Sequence, residues 1–191
     1  WYHIVAVGDT IQAASADRMK LWINGVQVNQ APSPSPSQNY NMTGWNNAGR
    51  IQNLGTDTDG SSFPFDGEMA EVRSIDGQAL TPNSFGSFNS YGVWQPITYG
   101  GSYGTNGFYL PFTNKTSTTT LGYDFSPAGN NWTTNNISLT SGSNYDSMTD
   151  VPTLTSATAA NYPVLNPLFD ASVSNSNANL QTVIGTGSIS T

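Results

Sequence analysis

Arg18-Met19-Lys20-Leu21-Trp22-Ile23-Asn24-Gly25-Val26-Gln27-Val28 sets Asn-Gly between two apolar, alternating runs. A two-residue hairpin loop that matches the twist of its strands needs φ > 0 at both central positions, and Asn-Gly adopts that conformation most readily. The segment therefore reads as an antiparallel hairpin turning at Asn24-Gly25. Before it stands Trp1-Tyr2-His3-Ile4-Val5-Ala6-Val7, β-branched and aromatic, closed by Gly8-Asp9. After it the strand signals become shorter: Gly49-Arg50-Ile51-Gln52-Asn53-Leu54, Gly107-Phe108-Tyr109-Leu110-Pro111-Phe112 and Leu180 to Ile184. The longest expected strand runs from Glu68 to Ile75, opened by Phe63-Pro64-Phe65-Asp66-Gly67 and closed by Asp76-Gly77. One helical turn is expected near Leu80 to Phe85, with Thr81 as its cap and Pro82 at its first position. Pro32 to Ser37 alternates Pro and Ser, an extended surface loop.

Composition agrees with an all-β reading. Only 9% of the 191 residues are charged, and Asn, Ser, Thr and Gly stand in their place. Those residues disfavour helices and favour turns and strands. The 5 Trp, 9 Tyr and 8 Phe supply enough apolar surface for a folded core. Five Lys and Arg against twelve Asp and Glu give a net charge of −7, which excludes the basic footprint of a nucleic-acid binder. It equally excludes a polybasic membrane patch, and no apolar run is long enough to insert in a bilayer. With no Cys and one His, disulfides, thiol nucleophiles and His-cluster metal sites are all absent. The start at Trp1, inside a strand signal and without an initiating Met, reads as a piece of a longer chain.

Three constellations could carry chemistry. The only glutamates are Glu68 and Glu71. Three apart in one strand, they point to opposite faces and cannot flank a glycosidic bond. Glu71 reads instead as a partly buried carboxylate paired with Arg73 on the same face. Asp57 and Asp59, in the loop Gly55-Thr56-Asp57-Thr58-Asp59-Gly60, offer the oxygen ligands calcium takes, although the terminal bidentate Glu of a calcium loop is missing. Solvated turn aspartates explain the same pattern without an ion, so the expected cofactor is none, with calcium as the alternative. Tyr40, Trp45, Asn46, Asn47, Tyr99, Tyr103 and Trp132 stand in polar, loop-like contexts that suit a glycan-binding surface, where flat rings and amides are used. Core or interface anchors are the competing reading for half of them or more. His3 reads as a packed or hydrogen-bonded histidine, since no nucleophile elbow or phosphate loop accompanies it. No catalytic residue is assigned, and the chain reads as non-enzymatic.

The order of these segments adds a resemblance. Trp1-Tyr2-His3-Ile4-Val5, Asp17 to Gly25 and Phe65-Asp66-Gly67-Glu68-Met69-Ala70-Glu71-Val72-Arg73 resemble the second half of a laminin-G-like, concanavalin A-like jelly roll. Asp76 to Pro82, Tyr103 to Leu110, Gly129 to Asn136, Asp146 to Thr153 and Asn161 to Leu168 are similar to proteins of tailed, especially marine, phages. That resemblance implies an antiparallel β-sandwich, incomplete at its N-terminus, in which Gly185 to Thr191 begins a SPRY-like region. It carries no catalytic residue.

The expected organisation is a jelly-roll sandwich over 1–112, a polar strand and loop region packed on it over 113–150, and an extended segment over 151–191. From Pro152 onward there is no Arg, Lys or Glu and a single Asp. The expected role is a virion structural or adhesion protein: a fibre, spike or capsid-surface appendage, on the virion surface and outside the cell. Its expected partners are other virion proteins, copies of itself (a trimer is the usual fibre solution) and a host surface glycan. The rival expectation is a carbohydrate-binding module of a bacterial secreted or surface protein.

Overall fold

The computed structural model describes residues 1–28, 35–42, 51–57, 60, 62–142, 145–148 and 151–152, and the backbone of 173–176 and 181–184. The hairpin stands where the Asn-Gly pair puts it. β1 (Ile4–Gly8), β2 (Met19–Ile23) and β3 (Val26–Gln27) form an antiparallel sheet in the order β1-β2-β3. Asn24 and Gly25 take φ of 48° and 78°, the doubly positive pair of a twist-matched turn. Asn24 also closes the far end of the ladder. Its N–H donates to the His3 carbonyl at 2.8 Å, and its Oδ1 accepts the His3 N–H at 2.8 Å. At the other end Arg18 gathers two loops onto the start of β2. Its guanidinium donates to the carbonyls of Gln12 (2.8 Å), Ala13 (2.7 Å) and Pro36 (2.9 Å).

β4 (Val72–Ser74), β5 (Gly86–Phe88), β6 (Trp94–Pro96) and β7 (Phe108–Leu110) follow. β5 and β6 make a hairpin, while β4 pairs with β7 across the intervening chain, Arg73 standing opposite Tyr109. β8 (Val173–Ser176) and β9 (Gln181–Ile184) form a last hairpin. A short helix, α1 (Thr118–Leu121), begins at a capping box: Thr120 N–H donates to Ser117 Oγ at 3.1 Å and Ser117 N–H to Thr120 Oγ1 at 2.9 Å. The chain is thus β-built, from small antiparallel sheets with almost no helix.

Two expected strands are corrected. The long one over 68–75 shrinks to Val72–Ser74, because Glu71 sits at φ 54°, in the left-handed region that interrupts an extended backbone. Ile51 to Leu54 carries no strand, and Gly49 and Arg50 lie outside the described residues. The turn at Pro82–Ser84 is present as a 3₁₀ helix with Thr81 extended before it, but the Thr81 hydroxyl makes no cap bond.

Aromatic side chains join the small sheets. Phe85 meets Tyr99 at 5.1 Å between ring centroids, Tyr99 meets Tyr103 edge-on at 5.2 Å, and Tyr103 stacks on Tyr109 at 6.3 Å. The Arg73 guanidinium covers the other end, 4.3 Å from the Tyr109 centroid, and pairs with Glu71 at 2.9 Å. The Glu71–Arg73 pair is thereby present, although Glu71 lies outside β4 and the two do not share a strand face. Leu110, 1% exposed, lies next to Tyr109 on β7, on the opposite face of the strand.

A second contact group centres on Trp94. Its indole Nε1–H donates to His3 Nδ1 at 3.0 Å, its ring stacks against the imidazole, and the Phe88 ring meets it edge-on at 4.9 Å. A Cβ built on Gly25 would fall 2.3 Å from Cζ3 of this indole, and one built on Gly86 would fall 2.4 Å from Cζ2. Trp94 therefore presses against two glycine backbones and couples the first hairpin to the β5–β6 hairpin. His3 is the packed, hydrogen-bonded histidine that its strand context suggests.

Burial and the nearby Arg73 guanidinium hold the His3 imidazole below its ordinary value of 6.5, against a weaker opposing pull from Glu71. A depressed folded value means that the unfolded chain binds the proton more readily. The stabilisation is present above about pH 6.5 and is lost as pH falls through the folded value. Protonation also removes the lone pair that accepts the Trp94 bond. In a pH titration by ¹H–¹⁵N NMR, the Trp94 indole resonance is expected to move with a midpoint below 6.5. His3→Phe is expected to abolish the step, and a midpoint at or above 6.5 would contradict this account.

Candidate functional site

The segment after β7 folds back onto it through the Asp124 carboxylate and the Phe125 N–H, which donates to the Tyr109 carbonyl at 2.8 Å. Asp124 Oδ1 accepts the N–H groups of Tyr109 and Ser126, both at 2.7 Å. Its Oδ2 accepts the Ser126 hydroxyl at 2.8 Å and the Asn130 N–H at 2.7 Å. Burial alone would raise this carboxyl's pKa, but the donors outweigh it and hold it below the usual value of 3.8. Asn130 Nδ2 extends the attachment to the carbonyls of Thr105 (3.0 Å) and Gly107 (2.9 Å).

Bringing 122–134 back this way opens a groove of about 310 Å³ against α1. It is lined by Thr118 and Thr119 of α1 and by Tyr123, Asn131, Trp132, Thr133 and Thr134 of the returning segment. Among the described residues no charged side chain lines it. Each lining group has a structural reason for its position. The Trp132 N–H donates to the Gly122 carbonyl at 2.8 Å, and its ring meets Phe108 edge-on at 4.8 Å. Asn131 Oδ1 accepts the Asp124 N–H at 2.9 Å, leaving the amide NH₂ as its donor half. The Thr134 hydroxyl donates to the Thr118 carbonyl at 2.9 Å, tying the two walls together.

The sequence singled out Trp132 but missed Tyr123, Asn131 and the threonines. The available signal was local: Asn131-Trp132-Thr133-Thr134 repeats the amide, ring and hydroxyl types of a sugar surface. The other expected rings go elsewhere. Tyr103 is 7% exposed and packs between Tyr99 and Tyr109, the position of a core anchor. Burial accordingly pushes its phenol above the ordinary value. Tyr99 is half-buried in the same group, its hydroxyl donating to the Ser102 carbonyl at 2.9 Å. Tyr40 is 51% exposed on the loop held by Thr10, whose hydroxyl donates to its carbonyl. Trp45, Asn46 and Asn47 lie outside the described residues.

Asp57 closes a turn. Its N–H donates to the Ser62 carbonyl at 3.0 Å, and its own carbonyl accepts from Gly60 N–H (2.9 Å) and Asn53 Nδ2 (2.7 Å). Asp59 lies outside the described residues. Among the described residues no three His, Cys, Asp or Glu side chains come together as a metal centre. A smaller cleft of about 200 Å³, with Ala70, Tyr109, Pro111 and Phe125 in its wall, contains Glu71 already paired with Arg73.

One further surface is apolar and, among the described residues, exposed. Ile4, Ile23 and Val26 are direct cross-strand partners on one face of the β1–β3 sheet, and they are 63%, 37% and 63% exposed. Val5, on the other face, is buried. Among the described residues no helix is long and apolar enough to cross a membrane. No protein-family model, no curated protein and no solved structure matches the chain.

Proposed function

We propose that this chain is a non-enzymatic structural and adhesion module of a phage virion, part of a fibre, spike or capsid-surface appendage. In this reading the β1–β3 sheet is one leaf of a concanavalin A-like jelly roll, and the module assembles with neighbouring virion proteins or copies of itself while binding a host surface glycan. The observation that carries the reading is the exposed Ile4–Ile23–Val26 face. A contiguous apolar patch on the sheet face opposite the buried Val5 is the mark of a surface made to be covered. The low charge of the chain and its resemblance to phage jelly-roll proteins support the same conclusion. The non-enzymatic part is supported by the glutamates: Glu71, one of only two, is held by Arg73.

Electron microscopy of particles from the source material tests the reading. Repeating copies on a capsid, tail or fibre are expected, and Ile4→Lys with Val26→Lys is expected to prevent incorporation while leaving the isolated chain folded. A monomer free of any particle would overturn it. The groove at Trp132 favours the second reading, a carbohydrate-binding module of a secreted or surface protein, which that monomer would then support.

A further inference from the structure

We propose that the groove between α1 and residues 122–134 is the glycan site, and that it takes a single uncharged sugar ring in preference to a uronate or a sialoside. The inference rests on the adhesive half of the reading above and adds a location and a ligand class. A pyranose has an apolar C–H face and a rim of hydroxyls. Tyr123, 39% exposed, and Trp132 offer rings for the face. Asn131 and the four threonines offer donors and acceptors for the rim. The volume of about 310 Å³ sits at the lower end of small-ligand sites and suits one ring.

Preorganisation makes this a built surface. Phe108 braces the Trp132 ring, the Asp124 N–H holds the Asn131 amide by its oxygen, and the Thr134–Thr118 bond ties the two segments together. Less side-chain freedom is then lost when a ligand arrives. Charge selects the class. Among the described residues no Lys, Arg or His lines the groove, so a carboxylate entering it would give up hydration without gaining a cation from them. The net charge of −7 repels the same ligands at longer range.

The test is a titration of the full chain with neutral methyl hexosides and N-acetylhexosaminides, and with methyl uronates and sialosides, read by ¹H–¹⁵N NMR at low and high salt. Neutral glycosides are expected to shift the Trp132 indole resonance with little dependence on salt. Tyr123→Ala and Asn131→Asp, each checked for an unchanged spectrum elsewhere, are expected to weaken binding about tenfold. Neutral-sugar binding that both variants leave intact would overturn the groove while the adhesive reading stood. Salt-sensitive binding of the acidic sugars alone would overturn the ligand class. Binding of no glycoside at all, followed by a silent glycan array, would overturn both the groove and the adhesive role and leave assembly alone.

Discussion

Gly25→Ala is expected to destabilise the chain by about 3 kcal/mol, the sum of a backbone and a contact penalty. The backbone part follows from φ of 78°, where a Cβ crowds the carbonyl that follows it. The contact part follows from the Trp94 ring, which would lie 2.3 Å from the new methyl. Trp94 cannot simply withdraw, because its other side meets Gly86, its Nε1–H is bonded to His3, and Phe88 braces its edge. Two further glycines separate the terms. Gly77 has φ of 77° with nothing within 4 Å of its Cβ position, so Gly77→Ala isolates the backbone part at about 1 kcal/mol. Gly86 meets the indole at 2.4 Å without a positive φ, so Gly86→Ala isolates the contact part at about 2 kcal/mol. Urea denaturation of the three variants reads all of these. If Gly25→Ala costs no more than Gly77→Ala, Trp94 does not press on the turn. In a Trp94→Ala background the contact part, but not the backbone part, is expected to disappear.

That contact also marks where the sequence stops being legible. The turn was readable because two adjacent residues determine it. The Glu71–Arg73 pair forms although Glu71 is left-handed and stands outside β4, so the shared strand face that suggested the pair is not what joins it. Trp94 lies about seventy residues from the turn it touches, and no local pattern links them. The strand over 68–75 failed for the opposite reason. Its β-forming residues give a sound local signal, but Glu71 is left-handed without a glycine to announce it, and pairing with β7 begins only at Val72. The Gly/Tyr-rich run 99–106 looks like a surface loop by composition, yet Tyr99 and Tyr103 pack on partners as distant as Phe85 and Tyr109. Of the site, only Trp132 was legible. A groove is a relation between two segments, and here the relation depends on how Asp124 returns the chain.

Asp124→Ala is expected to release that return and cost roughly 3 kcal/mol, since hydrogen bonds to a charged acceptor contribute more than neutral ones and their donors would be left partly buried. The carboxylate holds four donors at 2.7–2.8 Å from Tyr109, Ser126 and Asn130. Removing it also loosens the N–H that Asn131 accepts from residue 124, and with it the Asn131 amide that lines the groove. Asp124→Asn separates charge from shape. It retains one oxygen for the donors but turns an NH₂ toward the rest, so it is expected to recover only part of the loss. The pH dependence has a definite sign. Because the folded carboxyl lies below 3.8, its stabilisation is fully present above about pH 4 and falls away as pH drops through the folded value. The wild-type chain is therefore expected to lose stability in that acid range, and Asp124→Asn to lose less there. Hydrogen exchange at Tyr109 N–H gives the local readout. Asp124 donates no part of β7's own pairing with β4, so fast exchange at Tyr109 with Leu110 still protected would identify the return of the 122–134 segment as the element lost. Equal acceleration at both residues would mean instead that β4–β7 opens with it, and that this carboxylate supports the sheet as well as the groove.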